Sequence, residues 1–235
     1  MPMPAQVLAA MLRADPAGPR VTAYDDATGE RIELSAKVLA TWVAKAANLL
    51  QDDAQAGPGS RVGLDLPPHW RALYWALAAW SVGAEVAVGA AAAGAEVLVT
   101  TAPAAAAAAS GYAVLVTPAA LARSNPQTPV GVIDEARELA TFADRVDPYA
   151  APAPADPALD PGDGTAVLAY RAVVDGTRAQ DWGPAPRVLL TGDLHRHLLD
   201  ALAAWAADGS VVLLAHPTGE QSARLAAERV TVRPS

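Results

Sequence analysis

A chain of 235 residues carries 17 Lys and Arg against 25 Asp and Glu, a formal net charge of −8, and has no cysteine. That composition excludes disulfides, thiolate metal sites and cysteine nucleophiles, and it fits a reducing, cytoplasmic compartment. Without a Lys/Arg cluster there is no footprint for a phosphate backbone, so nucleic acid is excluded as a partner. The length suffices for one large domain or two small ones with real cores.

The opening, MPMPAQVLAAMLRAD, lacks a basic n-region and meets Arg13 and Asp15 too early for a secretory leader, so it reads as an ordinary first helix. Strands Val21–Tyr24 and Arg31–Leu34 flank DDATGE, a hairpin turn. Ser35 can cap a helix in which Val38, Leu39, Trp42, Val43, Ala46, Leu49 and Leu50 form one apolar stripe. Trp42, Val43 and Leu50 are therefore expected to be buried. Gly57-Pro58-Gly59 ends this segment, and Arg61–Leu66 reads as a buried strand before a second helix from about Pro68 to Val82. Trp70, Trp75 and Trp80 recur every five residues around that helix, which scatters them and predicts partial exposure for some.

Short apolar runs follow at Glu85–Val88, Glu96–Thr100 and Tyr112–Val116. Between Val97 and Ala122 no charge occurs, but Pro103, Ser110, Gly111 and Pro118 break the run into strand, short alanine helix and strand, so no membrane span is expected. DEARELATFAD (Asp134–Asp144) reads as a helix. The alternation predicts an α/β fold with mixed, mostly parallel sheet layers and helices on both faces. Residues 1–145 form an N-terminal α/β subdomain, 146–164 a Pro/Ala-rich linker, extended and exposed, and 165–235 a second α/β segment that could complete the same domain. The latter reads as strands TAVLAY and RVLLT, helix DLHRHLLDALAAWAA, strand SVVLLA, helix EQSARLAAE and a last strand RVTV.

The hairpin before IELS, the helix KVLATWVAKAANLL, the turn and strand GPGSRVGLDLP and the segment RALYWALAAWSVGAEVAV match, in order and spacing, the opening of the AMP-binding, adenylate-forming acyl-CoA synthetase-like family. A weaker match covers Arg187–Thr231, with RVLLTGDLHRHLLDALAAWAADGSVVLLA and AAERVTV. The sequence resembles a short, degenerate, actinobacterial-looking relative of the N-terminal part of that family. The resemblance implies its α/β fold and, for a complete member, ATP-dependent, AMP-forming ligase chemistry. The family's phosphate loop, Ser/Thr and Gly closing in Pro-Lys-Gly, should precede RVLLT, and no such run is present. The nearest stretches, Pro161 to Thr165 and Val174 to Arg178, each carry an aspartate where an anion should sit and read as turns. The family's adenine-stacking aromatic, ribose-binding aspartate and C-terminal catalytic lysine are expected beyond the segment matched by Thr231. No catalytic residue and no metal ligand are assigned.

Five residues remain as candidates for a cofactor or small molecule: Gly162, Gly164 and Thr165 in one loop, Thr191 and Gly192 before a helix. At the second place free amides could meet an anion, but Asp193 reads first as the helix N-cap. His195 and His197, two apart, point to different sides and cannot share a metal. No Gly-x-Ser-x-Gly elbow and no G-x-G-x-x-G fingerprint occur. The expected protein is a pseudoenzyme of ligase ancestry that binds a small molecule or a protein, with no cofactor and ATP or AMP only as alternatives. Two other readings stand beside it, a minimal AMP-dependent acyl-CoA ligase with an altered phosphate loop, in which Arg171 or Arg178 would meet the phosphates, and an unrelated α/β interaction module. Val230 and Val232 in the last strand would leave an apolar edge that the linker, a second copy of the chain or a partner protein could cover, a homodimer being the simplest closed solution.

Overall fold

The computed structural model describes residues 2–175 and 178–234. Helix α1 (Pro4–Ala14) leads into strands β1 (Pro19–Asp25) and β2 (Glu30–Ser35), which pair antiparallel as the hairpin expected. The Ser35 side chain accepts from the Val38 amide and caps α2 (Ala36–Asn48), which ends in a π turn at Leu49–Asp53. Then come β3 (Arg61–Asp65), α3 (Trp70–Ser81), β4 (Glu85–Val88), β5 (Val97–Thr100), α4 (Pro103–Ala108) and β6 (Tyr112–Leu115). The charge-free stretch is thus strand, short helix and strand, and among the described residues no helix is long and apolar enough to cross a membrane. The remainder is β7 (Ile133–Asp134), α5 (Glu135–Glu138), β8 (Pro157–Asp160), β9 (Leu168–Ala169), α6 (Tyr170–Val173), β10 (Arg187–Leu189), α7 (Leu194–Ala206), β11 (Ser210–Ala215) and α8 (Ser222–Ala227).

Two sheets result. The larger has the order β7-β6-β5-β3-β4-β8-β9, parallel throughout except where β9 turns back along β8. The smaller has the order β10-β11-β1-β2, with β1 parallel to β11 and antiparallel to β2. The fold is therefore mixed α/β, mostly parallel, with helices on both faces of the larger sheet. Val114 faces the main core, while its neighbours Ala113 and Leu115 join Ala106 of α4 in a second, small core across the sheet. On that second face a 3-10 turn, Gly89–Gly94, lies so close to β3 that a Cβ at Gly63 would sit 2.2 Å from the Ala92 carbonyl oxygen. Only glycine fits there.

Helix α3 packs on α1, α2 and α7, on β3 and β4 of the larger sheet and on β1 of the smaller. All twelve of its residues are buried. The expectation that some of its tryptophans are exposed is corrected here: Trp70, Trp75 and Trp80 are 4%, 0% and 2% exposed. A helix apolar all round is stable when it is enclosed all round, and here two sheets and three helices enclose it. Trp42 departs in the other direction, being only half-buried, where it stacks on Tyr74 at 5.8 Å, whereas Val43 and Leu50 are fully buried.

Of TAVLAY only Leu168–Ala169 is strand, since α6 begins at Tyr170, and three more stretches differ from their sequence patterns. DEARELATFAD holds only α5 and a short 3-10 turn, because Lys45 Nζ donates to the carbonyls of Ala140 and Phe142, and Asn48 Nδ2 to those of Ala143 and Arg145. Side chains of α2 thereby take carbonyls that a longer helix would use itself. The proline-rich stretch is mostly exposed up to Asp156, but Pro157–Asp160 then enters the larger sheet beside β4, with Ala158 and Leu159 fully buried. RVTV makes one parallel bridge, Val188 to Val232, outside β10, and Val230 and Val232 are half-buried.

The burial of α3 has a measurable consequence. Trp75→Ala is expected to lower the unfolding free energy by about 3–5 kcal/mol, since the cavity it leaves is walled by rigid elements on every side. Urea midpoints followed by circular dichroism check this, and a loss below about 1 kcal/mol would mean that the helix is not locked between the sheets.

Candidate functional site

Strands of both sheets end toward one crevice of about 610 Å³. From the larger sheet come Pro67, Pro68 and His69 after β3 and Pro118 after β6, and from the smaller sheet Leu189 to Gly192 at the end of β10 and Leu214 to Pro217 at the end of β11. Open α/β folds place ligands in such crevices at the carboxyl ends of their strands. Each wall has a local cause. The Pro67-Pro68 pair cannot continue the ladder of β3, so the chain leaves the sheet extended and delivers His69 to the N-cap of α3. Gly192, at φ +87, turns the chain from β10 into α7, whose first turn is capped by the Asp193 carboxylate accepting from the Arg196 amide at 3.2 Å. His216, a non-glycine residue at φ +49, turns the chain out of β11 and has its Nδ1 2.9 Å from Asp25 Oδ1. A left-handed conformation in such a residue costs on the order of 1 kcal/mol and is held by its surroundings.

The lining is largely apolar, with Leu189, Leu190, Leu214 and Leu225 beside four prolines. No lysine or arginine lines it among the described residues, and its one carboxylate, Asp25, is held below the usual range chiefly by the hydrogen bond from His216. The other two imidazoles are neutral. Burial, helped by the nearby Arg71 charge, pushes His69 down to about 4, and burial also lowers His197. Beside the crevice a pocket of about 10 Å³, room for one water, lies against Tyr24 and Trp70.

One wall is braced by a buried ionic cluster that no spacing in the sequence announces. Arg71, on α3, reaches Glu135, on α5, at 3.3 Å, and its other guanidinium nitrogen donates to the Ala119 carbonyl at 3.1 Å, next to Pro118 of the crevice. Tyr74 and the indole of Trp75 also donate to Glu135. A single arginine inside the apolar run of α3 is the signal that could have pointed here, since a buried charge needs a partner.

The candidates from sequence divide between two places. Thr191 and Gly192 line the crevice, and Gly162 lines a second cleft of about 320 Å³ on the opposite side of the α7 N-terminus, together with Asp163, Asp193 and His195. His195 and His197 accordingly face different clefts. Gly164 and Thr165 lie exposed in the adjoining turn, where Asp163 Oδ1 accepts from the Thr165 amide and hydroxyl at 2.9 and 2.6 Å. The Gly162 amide donates to Asp160, and a Cβ there would lie 2.1 Å from the Val88 carbonyl oxygen. In the other loop Gly176 and Thr177 lie outside the described residues. Arg178 pairs at 2.8 Å with Asp200, whose side chain is 1% exposed, and Arg171 is exposed.

No protein-family model matches the sequence. It is 37% identical, over 242 residues, to a TIGR03089 family protein of Mycobacterium tuberculosis, covering 96% of this chain and 95% of that one. The fold is similar to an acyl-CoA synthetase of Brucella canis, with a TM-score of 0.75 at 16% identity over 98% of this chain and 47% of that one. The N-terminal domain of FACL13 of Mycobacterium tuberculosis is matched at a TM-score of 0.71 and 17% identity, over 100% of this chain and 63% of that one. The chain thus spans about half of these two structures, and likeness at this identity shows the fold.

Glu135 gives a pH test of the cluster. Burial raises its carboxyl from 4.5 to about 7, overcoming the pull of Arg71, so the folded protein holds that proton more tightly than the unfolded chain. The stability it contributes is fully present below about pH 4.5 and is lost as pH rises toward 7, a swing on the order of 3 kcal/mol. Denaturant midpoints of the parent should therefore fall with rising pH across this window relative to Glu135→Gln. A constant difference between the two proteins would mean that Glu135 ionises as an ordinary carboxyl.

Proposed function

The chain belongs to the TIGR03089 family, and from that premise and its acyl-CoA synthetase-like fold we propose that it is a non-catalytic member of the synthetase lineage that binds a small, largely apolar molecule in the crevice between its two sheets. The observation that carries this reading is the crevice itself: about 610 Å³ at the carboxyl ends of the strands, largely apolar, and lined by no cation among the described residues.

Adenylation needs positive charge and free amides around transferring phosphates. In this chain the amides nearest the expected phosphate loop are taken by its own carboxylates, Gly162 by Asp160 and Thr165 by Asp163, and Arg178 is held by Asp200. These contacts support a fold that keeps the architecture of an adenylating enzyme without its phosphate cradle. They weigh against the altered-loop ligase, and nucleotide is not part of the proposed function.

Thermal unfolding with two probes tests the reading. A ligand at a hundred times its dissociation constant adds about 2.7 kcal/mol to stability. We expect 1-hexanol to stabilise the protein saturably and Mg·ATP to leave it unchanged, with no acid-dependent ATP–pyrophosphate exchange. Thr191→Trp, which puts an indole into the crevice from an exposed position on its rim, should remove the response to hexanol. Stabilisation by Mg·ATP together with measurable exchange would overturn the proposal.

A further inference from the structure

The crevice contains two neutral imidazoles, and the protein groups that hold them fix where each ring carries its proton. His69 Nδ1 lies 3.2 Å from the Arg71 amide nitrogen. A backbone N–H can only donate, so Nδ1 accepts, and in a neutral ring the proton is then on Nε2. His197 Nδ1 lies 2.8 Å from the Asp193 carbonyl oxygen. A carbonyl can only accept, so this Nδ1 carries the proton and Nε2 keeps its lone pair. One ring is thereby set as a hydrogen-bond donor through Nε2 and the other as an acceptor through Nε2, and both rings line the same crevice.

Charge narrows the choice of ligand. An anionic end would find no lysine or arginine in the lining among the described residues, and it would face the Asp25 carboxylate. A cationic end would find that carboxylate already engaged by His216 at 2.9 Å. The charged groups around the two rings are Arg71 and Asp25 at His69, and Asp193 and Asp200 at His197. Arg71 is committed to Glu135, Asp193 to the cap of α7 and Asp200 to Arg178.

Resting on the reading of the crevice as a binding site, we infer that its ligand is an uncharged molecule of the carboxamide class, its carbonyl accepting from His69 Nε2–H, its N–H donating to His197 Nε2, and its aliphatic body lying against Leu189, Leu190, Leu214 and Leu225. A donor and an acceptor that a bound ligand shuts off from water discriminate against ligands lacking either, because the unmatched group loses water and gains nothing.

Four probes of one chain length decide it: hexanamide, hexanoate, hexylamine and 1-hexanol, titrated at pH 7.5 and followed by methyl and histidine 15N spectra. Hexanamide is expected to bind at least about tenfold more tightly than hexanoate or hexylamine, the equivalent of about one good hydrogen bond. His69→Phe and His197→Phe should each weaken hexanamide about tenfold while leaving 1-hexanol within about twofold. The parent protein supplies a measurement that depends on no variant: free, it should show His69 protonated at Nε2 and His197 at Nδ1, with both Nε2 signals shifting on hexanamide. Equal or tighter binding of hexanoate, or the opposite tautomer at either ring, overturns the inference and leaves the crevice a binding site. Failure of all four probes to bind removes the crevice reading and this inference together.

Discussion

Enclosure of α3 is the constraint on which the rest of the molecule depends. A helix whose every residue is buried must have each side chain filled against a different neighbour, and its indoles show how this is done. Trp80 donates to the Ala158 carbonyl on β8 at 2.7 Å, and Trp75 donates to Glu135 on α5 at 3.3 Å. Trp70 lies under the Arg71 guanidinium, 4.4 Å from its ring centre, and edge-on to Trp42 of α2. A buried tryptophan needs an acceptor for its N–H, so these residues specify orientation as well as supplying apolar area. Tyr170 adds a parallel tie, donating to the Ala84 carbonyl just before β4 from the far end of the sheet.

The crevice inherits its shape from that enclosure. α3 fixes where β3 must release the chain, and hence where Pro67, Pro68 and His69 stand. Arg71, the second residue of the helix, holds the carbonyls after β6 and so sets the wall that contains Pro118. On the other side α7 packs on α1 and α3, which fixes Asp193 and His197 relative to the smaller sheet. Thus the tautomers at His69 and His197 are determined by backbone groups of two helix starts, not by flexible side chains. Pre-set donors and acceptors of this kind lose little freedom when a ligand arrives.

Much of the architecture is legible in the sequence because it is written locally. The hairpin, the Ser35 cap, the apolar stripe of α2 and the β-α alternation each depend on neighbours within a few residues. What escaped was decided at a distance. The five-residue spacing of Trp70, Trp75 and Trp80 looks scattered until two sheets are present to receive every side. Arg71 and Glu135 are 64 residues apart and give no periodic signal. β8 is a four-residue strand with two buried side chains inside a proline-rich stretch, too short to rise above its surroundings. Thr191 and Gly192 can be reached in sequence from turn and cap chemistry at the head of α7. His69 cannot, because its place at the crevice follows from a loop whose direction is set by two prolines and a buried helix.

The smaller sheet carries a further consequence in its connectivity. β1 finds one neighbour within the hairpin and the other only at β11, with Val21 beside Val211. Arg20 reinforces that far pairing, donating to the carbonyls of Asp208 and Gly209. On a ribosome adding roughly 5–20 residues each second, the hairpin waits on the order of ten to forty seconds for its missing neighbour to be made. Through that interval it presents an unpaired parallel edge, the kind of surface that other chains can add to. The rate at which the second half of the message is translated therefore bears directly on how much of this protein reaches its native sheet.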